Sequence, residues 1–501
     1  MADTSPFEPR GDFIDGHFAL PQRVSGEIDL EDPGDNDALM GAFPFSRAAV
    51  DAAVGAARRA YPRWRDAQPA ERAALLRRFA ELIKADGERL AEVIAREVGK
   101  PLWEARSEVA AMVSKVEITL GPGLELVAER GFEAAGGRTA HWQWHPRGVL
   151  AVLGPFNFPG HLSHGHIVPA LATGNCVVLK PSERAPAVGQ LYAELAERAG
   201  FPRGVMNLVQ GDGEQGARLS VHPGVDGVLF TGSYAVGRRI LEATLDQPHK
   251  LVALEMGGKN GVLVCADADL DAAACAIAFA TCVTTGQRCS MTSRVIVQRA
   301  VAEPLIERLE SIFERIAIGY ALDEGVFMGP LISARARERH ASVLEWAREE
   351  GAEPLVDGGP CEGPRRGHYV RPTLHRVPAL SRGLYQTEEH FVPDAFVLEV
   401  DSLDEGIAAL HASDYGLASS VFSADRASFE RAYRETRVGI LNWNTATVGA
   451  SSELPFGGIG RSGNDRPAGV LSTLYCTYPV ASLEDEQPGP PASYPGFPAA
   501  K

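Results

Sequence analysis

The sequence predicts an α/β protein of two or three domains, and three features of the chain support this. The chain has 501 residues, whereas a single hydrophobic core rarely grows beyond about 250 to 300 residues. From residue 148, short apolar runs alternate with segments of helix length, a pattern typical of parallel βαβ units. A second alternation of the same kind begins near residue 260 and predicts a second α/β domain.

Taken in chain order, the first strongly patterned elements are helices. Residues 46–100 carry apolar side chains at helical spacing and predict two amphipathic helices, the second starting at PAERAALLRR. The first alternation then contains the strand-like runs GVLAVLG, NCVVLKPSE, VMNLVQG, DGVLFTGS and KLVALEMGG. Parallel sheets bind ligands at the carboxyl ends of their strands. The polar residues and glycines that end these runs are therefore the candidates for function.

The second alternation includes NGVLVCADADLD, SRVIVQ and the helical patterns EPLIERLESIFERIA and SARARERHASVLEWAREEGA. Two strand-like segments belong to neither alternation, TAHWQWHP at 139–146 and LSTLYCTYPVASL at 471–483. Such detached strands suit an arm that pairs with a partner subunit. The proline-rich stretch 486–501 predicts an extended or disordered tail.

Composition argues against several classes of protein. With a formal net charge of −16 and no block of Lys and Arg, the chain lacks the basic surface that binds nucleic acid. No apolar run approaches the roughly 18 to 20 residues that span a bilayer, and the N-terminus does not resemble a signal peptide. Seven cysteines without a CxxC pair predict neither a zinc site nor a disulfide framework, which favours a soluble protein of the reduced cytoplasm.

Two motifs could hold a nucleotide. In LFTGSYAVGRRI a strand, a Gly-Ser turn and a helix follow one another, and such a helix start can bind a phosphate through its amides. The residues of this turn are Gly232, Ser233, Tyr234, Ala235, Val236 and Gly237. In KPSE, Lys180 and Glu183 follow another strand and could bind the hydroxyls of a ribose. Taken alone, the motifs fit an ordinary glycine turn and a surface ion pair better.

Three further residues could carry covalent chemistry. Cys289 in TTGQRCSMTSR is a candidate nucleophile, although a free thiol is only a few per cent thiolate at neutral pH and most single cysteines are structural. Asn157 in LGPFNFPGHL could donate to a developing oxyanion or only to loop carbonyls. Glu255 in LEMGGKN ends an apolar strand, where it could act as a base for water or simply bond the amides of the glycine loop.

In combination these motifs are far more specific. PFNFPG, KPSE, FTGS-x-x-x-G, LEMGGK, GQRC and PFGGIGRSG occur in this order, and from about residue 12 to 485 the chain resembles the aldehyde dehydrogenase superfamily. The resemblance implies a Rossmann-type NAD-binding domain, an α/β catalytic domain and a β oligomerisation arm. The expected bounds are 1–125 and 148–255 for the NAD-binding domain, 256–460 for the catalytic domain, and 126–147 with 470–485 for the arm.

The same resemblance implies a mechanism without a metal. The Cys289 thiolate would add to an aldehyde, and the Asn157 amide with the Cys289 backbone N–H would hold the oxyanion. Hydride would pass to a nicotinamide, and water activated by Glu255 would hydrolyse the thioester to the acid. The expected partners are a small aldehyde and further copies of the chain in a homodimer or homotetramer, with neither nucleic acid nor membrane.

The cofactor residues are also implied by the resemblance. Lys180 and Glu183 match the pair that binds the adenosine ribose, and the turn 232–237 matches the pyrophosphate site. Glu389 and Phe391 match the pair that steadies the nicotinamide ribose. A carboxylate at Glu183 disfavours a 2′-phosphate, so NAD is expected rather than NADP.

One residue departs from the family pattern E-E-x-F-G-P, because the chain reads EEHFVP with Val392 where glycine is usual. A β-branched residue resists backbone angles that glycine permits, so we expect the loop around Phe391 to differ.

A narrower resemblance is to members that oxidise a succinylated, carboxylate-bearing semialdehyde in arginine catabolism. It lies in FPGHLSHGHIVPAL, TGQRC and NWNTATVGASSELPFGGIGRSGNDRPAG. Arg288 and Arg461 are the candidate cations for such a substrate, although each could be an ordinary ion-pair residue. Three alternatives stay open: an NAD(P)-dependent dehydrogenase of another aldehyde, a cofactor-independent cysteine esterase or hydrolase, and a catalytically idle binding protein.

Overall fold

The computed structural model describes residues 7–135, 137–486 and 495–496, and within them it contains two seven-stranded, mainly parallel sheets. The predicted α/β fold class is confirmed. Within these ranges no helix is long and apolar enough to cross a membrane. The predicted tail 486–501 lies almost entirely outside the described residues.

The first sheet has five parallel strands and an antiparallel hairpin at one edge. Its strands, in spatial order, are Leu251–Glu255, Gly227–Thr231, Val149–Leu153, Cys176–Lys180, Met206–Leu208, Asp12–Ile14 and His17–Ala19. The inner strands Val149–Leu153 and Cys176–Lys180 are buried along their whole length. Because such strands are covered on both faces, they read as continuous apolar runs rather than as an alternating pattern.

The second sheet has six parallel strands and one antiparallel edge strand. Its strands, in spatial order, are Glu353–Val356, Thr373–Arg376, Asp394–Val400, Thr292–Gln298, Asn260–Val264, Ala418–Phe422 and Ile440–Trp443. Two separate apolar clusters pack against this sheet, whereas the first sheet shares one large core with its helices.

Helices surround both large sheets. Those around the first sheet are Ala49–Arg65, Pro69–Ala85, Gly87–Val98, Leu102–Ile118, His161–Ala172, Pro186–Ala199, Gly213–Val221, Tyr234–Ala243 and Ser472–Tyr475. Those around the second are Leu270–Cys282, Ala302–Phe313, Ala334–Glu349, Leu384–Thr387, Leu403–Leu410 and Arg426–Glu435. Short helical turns cover Thr119–Gly123, Val283–Gly286 and Arg299–Val301.

A third, detached sheet contains three antiparallel strands, Thr477–Glu484, Arg138–Pro146 and Arg130–Ala134. The described part of the chain also contains four smaller strand pairs. They are Gly26–Asp32 with Asp35–Phe45, Gly359–Pro360 with Val370–Arg371, Tyr415–Gly416 with Ile459–Gly460, and Pro455–Phe456 with Ala468–Gly469.

Two details of the sequence interpretation are wrong. The second amphipathic helix is two helices, Pro69–Ala85 and Gly87–Val98, because the chain turns at Asp86 before a glycine. The segment 471–483 is not a strand throughout, since Ser472–Tyr475 is a short helix and the strand begins at Thr477. Helical and strand periods are hard to distinguish in a short apolar run.

Candidate active site

The two large sheets meet at a short connection. Strand Leu251–Glu255 of the first sheet ends where the four-residue link Met256–Lys259 begins, and this link leads into strand Asn260–Val264 of the second sheet. The carboxyl end of the first sheet therefore faces the amino end of the second. This junction brings together the ends of the LEMGGKN, GQRC and EEHF motifs.

The nucleophile loop, residues 284–289, follows helix Leu270–Cys282 and ends at Cys289. Thr284 and Thr285 both have φ near +55°, a left-handed conformation that β-branched residues rarely adopt. Such strain persists only where the surroundings enforce it. Here the Thr284 N–H and hydroxyl both donate to the Glu104 carboxylate, and the Thr285 hydroxyl donates to the Gly329 carbonyl at 2.9 Å.

Two asparagine amides hold the loop on either side of the cysteine. The Asn157 Nδ2 donates to the Gln287 carbonyl at 2.9 Å. The Asn260 Nδ2 donates to the Cys289 carbonyl at 2.8 Å and to the Met291 carbonyl at 2.8 Å. The loop carrying the candidate oxyanion donor is thus bonded directly to the loop carrying the candidate nucleophile.

The paired glycines of LEMGGK permit two close approaches. A Cβ on Gly257 would meet the Glu389 carboxylate oxygens at 2.1 Å, and a Cβ on Gly258 would meet the Cys289 carbonyl oxygen at 2.4 Å. The Gly258 N–H donates to Glu389 Oε1 at 3.0 Å. Since any side chain would collide here, these two positions allow Glu389 and Cys289 to share one small space.

The PFGGIGRSG motif, residues 455–463, lies against Glu255. The Met256–Lys259 link connects Glu255 to the small space that Glu389 and Cys289 share. The Ala468 N–H donates to Glu255 Oε1 at 3.2 Å, and the Ser462 carbonyl accepts from the Met256 N–H at 2.9 Å. The other carboxylate oxygen, Oε2, is buried and has no hydrogen-bond partner among the described residues. A buried carboxylate with one unpaired oxygen can receive a proton.

The electrostatics of this site favour uncharged forms. Burial raises the pKa of the Cys289 thiol to about 12; the Glu389 and Glu255 carboxylates add to this rise, and the Arg288 guanidinium opposes it. Burial also raises the pKa of Glu255 well above its usual value, against the lowering effect of the Ala468 amide. Each group therefore needs a nearby positive charge, or a partner that takes its proton, before it can act as an anion.

The loop around Phe391 has its left-handed backbone conformation at Phe391, one position before the glycine of the family pattern. Phe391 has φ of 57°, and its ring meets the Phe156 ring edge-on with centroids 5.9 Å apart. Val392 is fully buried and is not among the residues with positive φ, so valine is accommodated without that strain. Burial raises the pKa of Glu389, three residues before Val392, to about 7, against opposition from the Gly258 amide and Arg339.

The candidate nucleotide residues lie at the carboxyl ends of the first sheet's strands. The Lys180 Nζ lies 3.2 Å from Glu183 Oε2, and the side chain of Glu183 is 49% exposed. Burial would raise the pKa of Glu183, but the neighbouring Lys180 ammonium holds it below its usual value. An exposed, ionised carboxylate of this kind fits the hydroxyls of a ribose.

The Gly232–Gly237 turn leads into helix Tyr234–Ala243. Ser233 caps this helix, its hydroxyl accepting from the Val236 N–H, and the Gly232 N–H donates to the Glu255 carbonyl at 3.0 Å. The remaining amides of a first helical turn have no partner inside their own helix, and together with the helix dipole they suit a diphosphate. The donors at this strand end therefore fit a dinucleotide.

Neither candidate substrate arginine is free. Arg288 donates to Glu104 Oε1 at 2.9 Å and to the Thr284 hydroxyl at 2.7 Å. Arg461 pairs with Glu388 at 2.7 Å and with Asp414 at 3.3 Å. A substrate carboxylate would have to compete with these acidic partners.

Sequence reasoning missed two residues that touch the nucleophile loop. Glu104 contacts Thr284 from 180 positions away, a pairing that no local pattern predicts. Asn260 stands in the quoted motif LEMGGKN, and its position at the start of a buried strand was the signal that could have been used.

Comparison with known proteins agrees with this geometry. A model of the aldehyde dehydrogenase family matches residues 21–479. The chain belongs to the aldehyde dehydrogenase family.

Particular relatives narrow the similarity. The chain is 41% identical, over 96% of its length and 98% of the relative's, to an N-succinylglutamate 5-semialdehyde dehydrogenase of Paraburkholderia xenovorans. It is 40% identical to a protein of the same name from Novosphingobium aromaticivorans, over 88% of this chain and 93% of that one. These similarities confirm both resemblances drawn from the sequence motifs.

A solved structure is also similar along nearly the whole chain. The crystal structure of an NAD-dependent aldehyde dehydrogenase from Sinorhizobium meliloti superposes with a TM-score of 0.92 at 32% identity, covering 97% of each chain. The predicted aldehyde dehydrogenase-like fold is confirmed. This chain is accordingly an oxidoreductase of aldehydes with a nicotinamide cofactor, NAD or NADP.

Proposed function

We propose that this protein oxidises N-succinyl-L-glutamate 5-semialdehyde to N-succinyl-L-glutamate with NAD as the hydride acceptor, a step of arginine catabolism. The observation that carries the chemistry is the bonded arrangement of the Cys289 and Asn157 loops beside Glu255. The substrate follows from relatives of that name at 40% and 41% identity over most of the chain.

In the first half-reaction, the Cys289 thiol releases its proton to water. The thiolate sulfur then attacks the aldehyde carbon, and the carbonyl oxygen becomes an oxyanion. The Asn157 amide, now donating to the Gln287 carbonyl, and the Cys289 backbone N–H would stabilise that oxyanion. A bound oxidised nicotinamide would supply the hydride acceptor, and its positive charge would favour the thiolate form of Cys289. Loss of hydride from the thiohemiacetal leaves a thioester on Cys289.

In the second half-reaction, Glu255 acts as the base. In its ionised form Glu255 is a strong base for a carboxylate because its pKa is raised, and its unpaired Oε2 can take a proton from water, whose oxygen then attacks the thioester carbon. The C–S bond breaks and the acid leaves, while the proton held by Glu255 passes to the sulfur and restores the Cys289 thiol. No protein metal ligand is required by these steps.

The cofactor residues are Lys180 and Glu183 for the adenosine ribose, Gly232–Gly237 for the pyrophosphate, and Glu389 with Phe391 for the nicotinamide ribose. The ionised Glu183 supports NAD over NADP, because a 2′-phosphate would meet a like charge. On this assignment 1–125 and 148–255 form the NAD-binding domain and 256–460 the catalytic domain.

We propose the detached sheet, within 126–147 and 470–485, as the oligomerisation arm of a homodimer or homotetramer in the cytoplasm. It exposes apolar side chains that suit a partner surface, namely Phe132, Tyr478, Val480 and Leu483. Light scattering of the purified protein measures the assembly, and a monomer at micromolar concentration would rule this arm out.

The proposed activity is tested by following NADH formation with a panel of aldehydes. N-Succinylglutamate semialdehyde should give the highest kcat/KM, ahead of glutamate semialdehyde and straight-chain aldehydes, and NAD should be preferred to NADP. A higher kcat/KM for another aldehyde would replace the substrate. Ester cleavage that is unaffected by NAD, with no NADH formed from any aldehyde, would instead identify a cysteine hydrolase.

A further inference from the structure

We infer that Glu104 and Glu108, one helical turn apart on helix Leu102–Ile118, are positioning residues. They fix the position of the nucleophile loop relative to the Asn157 loop. The Asn157 loop is residues 154–160. This inference rests on the proposed roles of Cys289 and Asn157.

Glu104 holds the nucleophile loop through both of its oxygens. Oε2 accepts from the Thr284 N–H at 3.1 Å, and Oε1 accepts from the Thr284 hydroxyl and from Arg288 Nη2, the latter at 2.9 Å. Thr284 is one of the two threonines in the left-handed conformation. The carboxylate thus binds both the strained start of the loop and the residue before Cys289.

Glu108 holds the end of the Asn157 loop. Its Oε1 accepts from the Gly160 N–H and from the His161 N–H, each at 3.0 Å. His161 is the first residue of helix His161–Ala172, so the carboxylate also lies at the positive end of that helix. Residues four apart on a helix share one face, which directs both carboxylates to adjoining loops.

Lys100 joins the two carboxylates into one cluster. Its Nζ lies 2.8 Å from Glu108 Oε2 and 3.8 Å from Glu104 Oε1, and all three side chains are fully buried. The ammonium also lies 3.7 Å from the centre of the Phe158 ring, and the Arg288 guanidinium lies 4.7 Å from it. Removing one of these charged groups leaves its partners buried with an uncompensated charge.

The two carboxylates matter for the reaction because they set the distance between the Asn157 amide and the Cys289 sulfur. The hydrogen bond from the Asn157 amide to the Gln287 carbonyl holds the two loops at one separation. A misplacement of about 1 Å remote from the chemistry can slow a reaction about 100-fold. The carboxylate pair touches neither Cys289 nor the Asn157 side chain in any hydrogen bond among the described residues, so it acts through backbone position.

The test is the pre-steady-state burst of NADH in full-length protein with NAD and a semialdehyde. The burst amplitude counts folded active sites, whereas its rate constant reports their geometry. In Glu104→Gln and Glu108→Gln we expect the rate constant to fall about 10- to 100-fold, with NAD affinity changed by less than about threefold. Glu117→Gln is the matched control, since Glu117 lies on the same helix with its side chain 62% exposed, paired with Arg77.

Thr284→Val provides a second variant if Glu104→Gln does not fold, because it removes the hydroxyl that donates to Glu104 and accepts from Arg288 but leaves both carboxylates in place. Its burst rate constant should also fall, toward the value of Glu104→Gln. Burst rate constants within about twofold of the unsubstituted protein in the folded variants, with only the amplitude or thermal stability lowered, would overturn the inference.

Alkylation of Cys289 by iodoacetamide at fixed pH is a parallel readout that needs no aldehyde. The rate of alkylation should change in Glu104→Gln and Thr284→Val and stay unchanged in Glu117→Gln. Equal alkylation rates in all three variants and the unsubstituted protein would also overturn the inference. A burst that persists in Cys289→Ala refutes the proposed function instead, so the two failures are distinguishable.

Discussion

The nucleophile loop and the nucleotide turn contrast in how they are held. Thr284, Thr285 and Gln287 are buried, and their side chains and amides bond to residues of distant elements. In the nucleotide turn Ser233 is exposed, Val236 is 41% exposed, and the cap is made within the turn itself. The contrast teaches that the nucleophile loop is pre-organised whereas the nucleotide turn is open. Substitutions in the nucleophile loop should therefore change kcat, and substitutions in the nucleotide turn should change the affinity for the cofactor.

The largest effect is expected from removing the nucleophile. Cys289→Ala should lower kcat by at least about 10⁴-fold, because no thioester can form. NAD binding, followed by fluorescence titration, should change little, since the nucleotide turn is a separate region. A Cys265→Ala variant is the control, because that thiol is buried beside the second sheet, away from the junction. Appreciable turnover by Cys289→Ala would remove Cys289 from the mechanism.

Glu255→Gln should separate the two half-reactions. We expect one rapid turnover of NADH followed by a stall, because the amide cannot take the proton from water while the thioester still forms. The steady-state rate should fall by about 100-fold or more, a common size for loss of a general base. Rapid-quench mass spectrometry should find an acyl group on Cys289. Normal steady-state turnover in this variant would contradict the assigned base.

At the open end, Glu183→Gln should change cofactor choice rather than rate. Removing the carboxylate lowers the penalty on a 2′-phosphate, so the ratio of kcat/KM for NAD over NADP should fall by about 10-fold, equivalent to about 1.4 kcal/mol. The kcat with saturating NAD should change by less than about twofold. The neighbouring exposed Arg184 offers a control as Arg184→Gln. An unchanged NAD preference would show that Glu183 does not read the ribose.

The smallest effect is expected at Arg461. Its side chain is 32% exposed and already paired with Glu388 and Asp414, and partly exposed ion pairs contribute about 0 to 1 kcal/mol. Arg461→Ala should therefore leave selectivity for succinylated over neutral aldehydes within about threefold. A loss of selectivity above about 10-fold would instead establish Arg461 as a contact for the substrate carboxylate.

Much of the fold was predictable because buried parallel strands read as short continuous apolar runs that alternate with segments of helix length. Runs such as GVLAVLG and NCVVLK gave correct strands, and the polar residues that end them led to Lys180 and Glu255. The break at Asp86 was missed because an amphipathic period continues on both sides of it. The Glu104 contact could not be predicted, since it depends on the packing of a helix against a loop 180 residues away.

The link Met256–Lys259 sets a limit on how the chain can vary in length. It is the direct covalent path from Glu255 to the strand whose first residue, Asn260, bonds the Cys289 carbonyl. One inserted residue lengthens an extended chain by about 3.3 to 3.6 Å, more than the length of a hydrogen bond. Surface loops can lengthen with little thermodynamic penalty. An insertion in this link would instead displace Glu255, the proposed base, relative to Cys289, the proposed nucleophile.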